Sequence, residues 1–98
     1  MPFSSKVGFP FSETGVAGCA PRESGVYGIY NNATWIYVGE AQDIEGRLYE
    51  HLRGQSDQSR CILGYQPTRF LFEKLDAKNR TARETALIRE LFPKCNPL

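Results

Sequence analysis

Two short runs, 26–30 (Val-Tyr-Gly-Ile-Tyr) and 34–38 (Thr-Trp-Ile-Tyr-Val), are dominated by β-branched and aromatic residues and flank Asn31-Asn32-Ala33. Such side chains fit a pleated, half-buried surface, and asparagine tolerates the left-handed conformations of tight turns, so the pattern predicts a β-hairpin. Alternation along the first strand puts Tyr27 and Tyr30 on opposite faces. Ile44, Leu48 and Leu52 then recur every four residues. This is the stripe of an amphipathic helix, capped by Asp43, running to about Arg53 and stopped at Gly54. Residues 55–66 are polar, with room for a short helical turn over 60–63. From 68 to 75, Phe70 and Phe72 alternate with Arg69, Leu71 and Glu73, which predicts a third strand. A last helix is expected over about 79–91, ended by Pro93 and Pro97. The order β-β-α-(short α)-β-α implies an α/β (α+β) domain with a small three-stranded, partly antiparallel sheet flanked by helices.

Residues 1–24 hold three prolines, three glycines and five serines or threonines, and read as an extended arm pinned to the domain by Phe3, Phe9 and Phe11. That leaves 25–98 as the folded domain. With 41% apolar and 23% charged residues, the 98-residue chain has the composition of one soluble domain. No apolar run nears the roughly 20 residues of a membrane span, and Pro, Ser and Glu interrupt the start where a signal peptide is apolar. The expectation is a cytoplasmic protein without a membrane partner. Cys19, Cys61 and Cys95 are odd in number and lack metal-site spacing, so three free thiols are expected in a reducing compartment. Residues 1–50 carry three basic and six acidic side chains; residues 51–98 carry nine and five, giving the net +1. A basic second half suits a polyanionic partner without requiring one.

On the first helix, Arg47 and His51 lie four residues apart and share a face, on the shoulder of the buried stripe. An arginine there offers a planar fork for phosphate, and a histidine beside it can move a proton near neutral pH. The same two residues also fit an ordinary boundary arginine and a hydrogen-bonded histidine. On the last helix, Glu84 heads the apolar stripe Leu87, Ile88, Leu91. Burying a carboxylate without compensation is costly. Two readings follow. Thr81-Ala82-Arg83-Glu84 matches a capping box, which helix patterning alone favours, or Glu84 faces a divalent cation.

The ordered set formed by Gly-Val-Tyr at 25–27, Tyr-Val-Gly at 37–39, Arg47, His51, Glu84 and Asn96 resembles the GIY-YIG nuclease family over about residues 21–98. In that family the two motif tyrosines stand ten or eleven residues apart. Tyr27 is ten residues before Tyr37, whereas Tyr30, in the better-spelled Gly28-Ile29-Tyr30, is seven before it. The resemblance therefore selects Tyr27. It implies a divalent-metal-dependent endonuclease that hydrolyses DNA phosphodiester bonds. Tyr27 and Tyr37 would bind and deprotonate the attacking water, with Tyr27 favoured as base, and His51 would assist. Arg47 would grip the scissile phosphate. Glu84 would be the sole protein ligand of one Mg²⁺ or Mn²⁺, with Gly39 and Asn96 in support.

If both tyrosines serve one site, they must leave one face of the hairpin. This requires a three-residue loop placing Tyr27 opposite Tyr37, with a left-handed Asn31 or Asn32, or else a bulge of the same effect. Glu40, directly after Gly39, departs from the family and puts an acid near the phosphate. No appended DNA-binding domain is visible, so the implied partners are DNA, double- or single-stranded, and a protein that directs targeting. The rival reading is a non-catalytic nucleic-acid-binding or protein-interaction module that retains the fold.

Overall fold

The computed structural model describes residue 3 and residues 7–96. The elements run β1 (Phe9–Pro10), α1 (Glu13–Cys19), β2 (Gly25–Tyr30), β3 (Trp35–Ala41), α2 (Ile44–Leu52), α3 (Ser59–Gly64), β4 (Arg69–Lys74) and α4 (Ala77–Leu91). The four strands lie in the order β1-β4-β2-β3, and every pair is antiparallel. The expected order from β2 onward is present, but among the described residues the sheet has four strands rather than three and no parallel pair.

The additions come from the segment expected to be an extended arm. Phe9 and Pro10 pair with Phe70 and Arg69 at the sheet edge. Ser12 then caps α1, its hydroxyl accepting from the Gly15 amide at 3.1 Å. Two glycines in seven residues argue against a helix, yet α1 buries Val16 and joins the core. Gly15 is needed because a Cβ there would strike the Pro10 carbonyl. Tertiary packing, not propensity, holds this helix.

Alternation along the strands sorts the core into two clusters. One contains Tyr27, Ile29, Ile36, Tyr37, Ile44, Leu48 and Phe70. The other contains Phe3, Val26, Val38, Leu71 and Leu87, with Tyr30 and Trp35 packed against it. The stripe of α2 therefore covers one set and that of α4 the other. Gly28 has a packing reason of its own, since a Cβ would press on the rings of Phe3 and Trp35 at 2.8 Å. Gly28 and Tyr30 of the better-spelled triplet belong to this packing, while Ile29 points to the other cluster.

Three expectations are corrected. The last helix begins at Ala77, with the Asp76 carboxylate capping the Asn79 amide at 3.0 Å. Thr81 is thus a full turn inside the helix and its hydroxyl donates to Glu40, so the Thr81–Glu84 capping box does not exist. Cys61 and Cys95 form a disulfide and only Cys19 is free, because α3 and the C-terminal segment bring the two sulfurs together. No helix among the described residues is long and apolar enough to cross a membrane.

The C-terminal segment closes the sheet. Phe92 adopts a left-handed conformation (φ 49°) that ends α4 and turns the chain back along β3. The amides of Lys94 and Cys95 then donate to the carbonyls of Trp35 and Ile36. Asn96 spans Val38, its Oδ1 accepting from the backbone N–H and its Nδ2 donating to the C=O, both at 2.8 Å. An otherwise open edge strand is thereby paired.

Candidate active site

The site begins with the register of β2 and β3. Tyr27 pairs with Gly39, Ile29 with Tyr37 and Tyr30 with Trp35, with an irregularity between the last two pairs. Ile36 is the extra residue of this bulge. Its effect is to put Trp35 and Tyr37 on opposite faces, although two residues apart. Tyr37 joins Tyr27, and Trp35 joins Tyr30, with ring centroids 4.8 Å apart. The bulge expected as the alternative is present, but Tyr27 is not directly opposite Tyr37. No asparagine is left-handed. Instead the Asn31 carboxamide accepts from the amides of Ala33 and Thr34, bracing the turn through a side chain.

The tyrosine pair needs Gly39. A Cβ at that position would collide with the Tyr27 hydroxyl and the Tyr37 ring. The ring centroids of Tyr27 and Tyr37 lie 6.2 Å apart, and those of His51 lie 5.6 Å from Tyr27 and 5.2 Å from Tyr37. Tyr27 and His51 are both 0% exposed and Tyr37 9%. The Tyr27 hydroxyl and His51 Nε2 are 2.6 Å apart. His51 is thus carried inward from the shoulder of α2 to become a buried side chain with a specific partner.

Arg47, one turn earlier on α2, is half-buried. Its guanidinium donates to Glu50 at 2.5 Å and to Gln58 at 3.1 Å. It borders a cavity of about 250 Å³ lined by Ala41, Gln42, Asp43, Gly46, Arg47 and Glu50. Glu84 approaches from α4, where the Glu40 backbone donates a hydrogen bond to its carboxylate. The Glu40 side chain is held elsewhere, accepting from Arg80 at 3.1 Å and Thr81 at 2.9 Å. The acid that departs from the family pattern is therefore paired with Arg80 rather than aimed at the tyrosines, though its charge reaches Glu84.

The electrostatics follow from this layout. Burial holds the Tyr27 phenol well above its usual pKa; the neighbouring Tyr37 acts the same way, and Arg47 opposes. Burial also raises Tyr37, reinforced by Glu84 and opposed by Arg47. His51 is lowered from 6.5 to about 4, first by burial and then by the charge of Arg47, so the imidazole is neutral at pH 7. Glu84 is raised by burial and then by Glu40. No cation pairs with it among the described residues.

Among the described residues no three His, Cys, Asp or Glu side chains converge as a metal cage. A lone, half-buried carboxylate with raised pKa and no ion pair is a donor set for a hard cation that keeps most of its water. The structure thus brings Tyr27, Tyr37 and His51 into one cluster, with Arg47 and Glu84 in electrostatic reach. Sequence reasoning missed Ser56, Ser59, Glu50 and Gln58, which hold His51 and Arg47. The only signal was two serines three residues apart soon after His51, in a stretch without periodicity.

The site is thus a buried tyrosine–histidine pair beside an arginine and a lone carboxylate. The chain belongs to the GIY-YIG catalytic domain family, whose model matches residues 23–96. Several solved structures of the N-terminal GIY-YIG endonuclease domain of UvrC from Thermotoga maritima are similar. A magnesium-bound form is 26% identical, with a TM-score of 0.72 over 88% of this chain and 99% of that one. A tyrosine-to-phenylalanine point mutant bound to its catalytic divalent cation is 25% identical, with a TM-score of 0.72 over 89% and 99%. No match was found among curated protein sequences.

Proposed function

We propose that this protein is a divalent-metal-dependent endonuclease that hydrolyses phosphodiester bonds in DNA, with Tyr27, Tyr37, Arg47, His51 and Glu84 as its catalytic set. The observation that carries the reading is the 2.6 Å hydrogen bond between the Tyr27 hydroxyl and a buried, neutral His51. A phenol alone is a poor base at neutral pH. A phenol whose proton already points at an unprotonated imidazole nitrogen can give that proton to Nε2 as it takes one from water. Arg47 lowers the cost of the resulting phenolate, and its planar fork suits a phosphate. For Arg47 to bind an anion, Glu50 must release it.

Tyr37, slightly exposed beside Tyr27, orients the water. Glu84 would hold Mg²⁺ or Mn²⁺, and a bound cation supplies Lewis-acid stabilisation of the leaving oxygen. Gly39 supports the site by leaving space for the tyrosines, and Asn96 by fixing the strand that carries them. Residues 25–98 are the nuclease unit in this reading, with the preceding β1 and α1 completing its sheet edge and core. DNA is the partner, with targeting through a second protein. The compartment in this reading is the cytoplasm.

The test is cleavage of plasmid and single-stranded DNA in Mg²⁺ or Mn²⁺, against EDTA, by the wild-type protein, Tyr27→Phe and Tyr30→Phe. We expect cleavage that EDTA stops, near-complete loss in Tyr27→Phe and retention in Tyr30→Phe, whose ring packs on the other sheet face. Greater damage from Tyr30→Phe would show that the first motif is misassigned. DNA binding without cleavage in any metal would favour the non-catalytic module.

A further inference from the structure

A chain of hydrogen bonds continues beyond His51, and its direction can be read link by link. The Ser59 hydroxyl lies 3.2 Å from the Glu50 carbonyl, an acceptor only, so the single Ser59 proton is committed there. Ser59 Oγ also accepts from the Ser56 amide at 3.0 Å. The contact between the two hydroxyls, 2.7 Å, must then be donated by Ser56. With its own proton spent, Ser56 Oγ can only accept at the 2.6 Å contact to His51 Nδ1. With each of these contacts a hydrogen bond, the imidazole carries its proton on Nδ1. Nε2 is left bare, 2.6 Å from the Tyr27 hydroxyl.

We propose that Ser56 and Ser59 are positioning residues that lock His51 in the Nδ1–H tautomer, the one form whose Nε2 can receive the Tyr27 proton. The anchor is rigid, because the relay ends on a main-chain carbonyl of α2, the helix that carries His51 itself. The alternative tautomer would aim an N–H at Tyr27 and leave nothing to accept the phenolic proton. In the proton transfer, the Tyr27 O–H bond breaks and an Nε2–H bond forms. The imidazolium keeps its Nδ1–H on Ser56, and the phenolate is reprotonated from the water it activates. The tautomer itself stands independently of the nuclease reading; only its effect on turnover rests on that reading.

His51 is the sole histidine, so ¹⁵N-histidine labelling gives a single imidazole whose long-range ¹H–¹⁵N pattern identifies the protonated nitrogen. At pH 7 we expect a neutral Nδ1–H form in the wild-type protein. Ser56→Ala should shift the population toward Nε2–H, and Ser56→Thr, which keeps the hydroxyl, should restore it. Ser59→Ala frees the Ser56 proton to donate to Nδ1 and should shift the tautomer without touching the histidine. Hydrogen-bond partners that orient metal-bound histidines change activity by roughly 10- to 100-fold, and the same scale is taken for a partner that orients a proton-accepting histidine. We expect such a loss in kcat for Ser56→Ala, with KM unchanged and rescue in Ser56→Thr. A wild-type imidazole protonated on Nε2, or on both nitrogens, would overturn the proposal whether or not any variant folds. So would a folded Ser56→Ala with unchanged tautomer and kcat. The expected tautomer in a protein without cleavage activity would uphold the relay and refute the nuclease.

Discussion

Acidification between pH 6.5 and pH 4 should destabilise this protein through His51, and the size of that loss can be worked from the structure. In the unfolded chain His51 takes a proton near pH 6.5. In the fold it resists protonation until about pH 4, because the ring is buried and Arg47 is close. Between these values the unfolded state binds more protons, so stability falls as pH falls through the window. Above pH 6.5 the ring is neutral in both states and contributes nothing. At about 1.4 kcal/mol per pH unit, the full window corresponds to about 3 kcal/mol. Glu84 works in the opposite sense: its raised pKa makes the fold bind a proton more readily than the unfolded chain. The His51 contribution is therefore isolated by comparison with His51→Gln, whose amide can occupy the place between Tyr27 and Ser56 without titrating. Urea unfolding of both proteins from pH 7.5 to pH 4 is the assay. With a slope of roughly 1–3 kcal/mol per molar urea, the wild-type midpoint should fall relative to the variant by about 1 M or more by pH 4. A difference between the two proteins that stays flat below pH 6.5 would refute a buried, neutral His51 and the proton acceptor inferred from it.

Two other perturbations separate chemistry from architecture. Arg47→Lys should recover little of the turnover lost in Arg47→Ala, since lysine keeps the charge but not the planar fork; near wild-type rates in Arg47→Lys would show that a point charge suffices. Asn96→Ala removes both hydrogen bonds to Val38 and should cost about 1–3 kcal/mol at roughly 0.5–1.5 each. That loss is measurable by thermal or urea unfolding, and unchanged stability would mean that the β3 edge does not depend on Asn96.

The parts legible in the sequence were those with local signals. The hairpin, α2 with its Asp43 cap and the phenylalanine-alternating strand β4 each follow from periodicity and turn chemistry within about ten residues. The spacing of Tyr27, Tyr37, Arg47, His51, Glu84 and Asn96 was equally plain. What escaped depends on distant partners. Gly15 and Gly18 disguise α1, which exists because Val16 finds a core that the sequence of the helix does not announce. Thr81 and Glu84 imitate a capping box, whereas the working cap, Asp76, sits five residues earlier at the end of β4. The bulge at Ile36 leaves no mark in an unbroken aromatic and β-branched run, yet it alone puts Tyr37 beside Tyr27. Ser56 and Ser59 lie in a polar stretch whose role appears only when α3 folds back under α2. The Cys61–Cys95 pair likewise joins elements 34 residues apart.

The central claim, that a lone carboxylate on α4 serves metal-dependent strand cleavage, is tested most directly by Glu84→Gln assayed on DNA in Mg²⁺. Glu84 neither caps a helix nor pairs with a cation among the described residues, so the variant should fold with little change in stability. We predict that the wild-type protein cleaves and that the folded Glu84→Gln protein does not, in Mg²⁺ or Mn²⁺. Cleavage by Glu84→Gln at the wild-type rate, still sensitive to EDTA, would place the metal elsewhere and contradict the account.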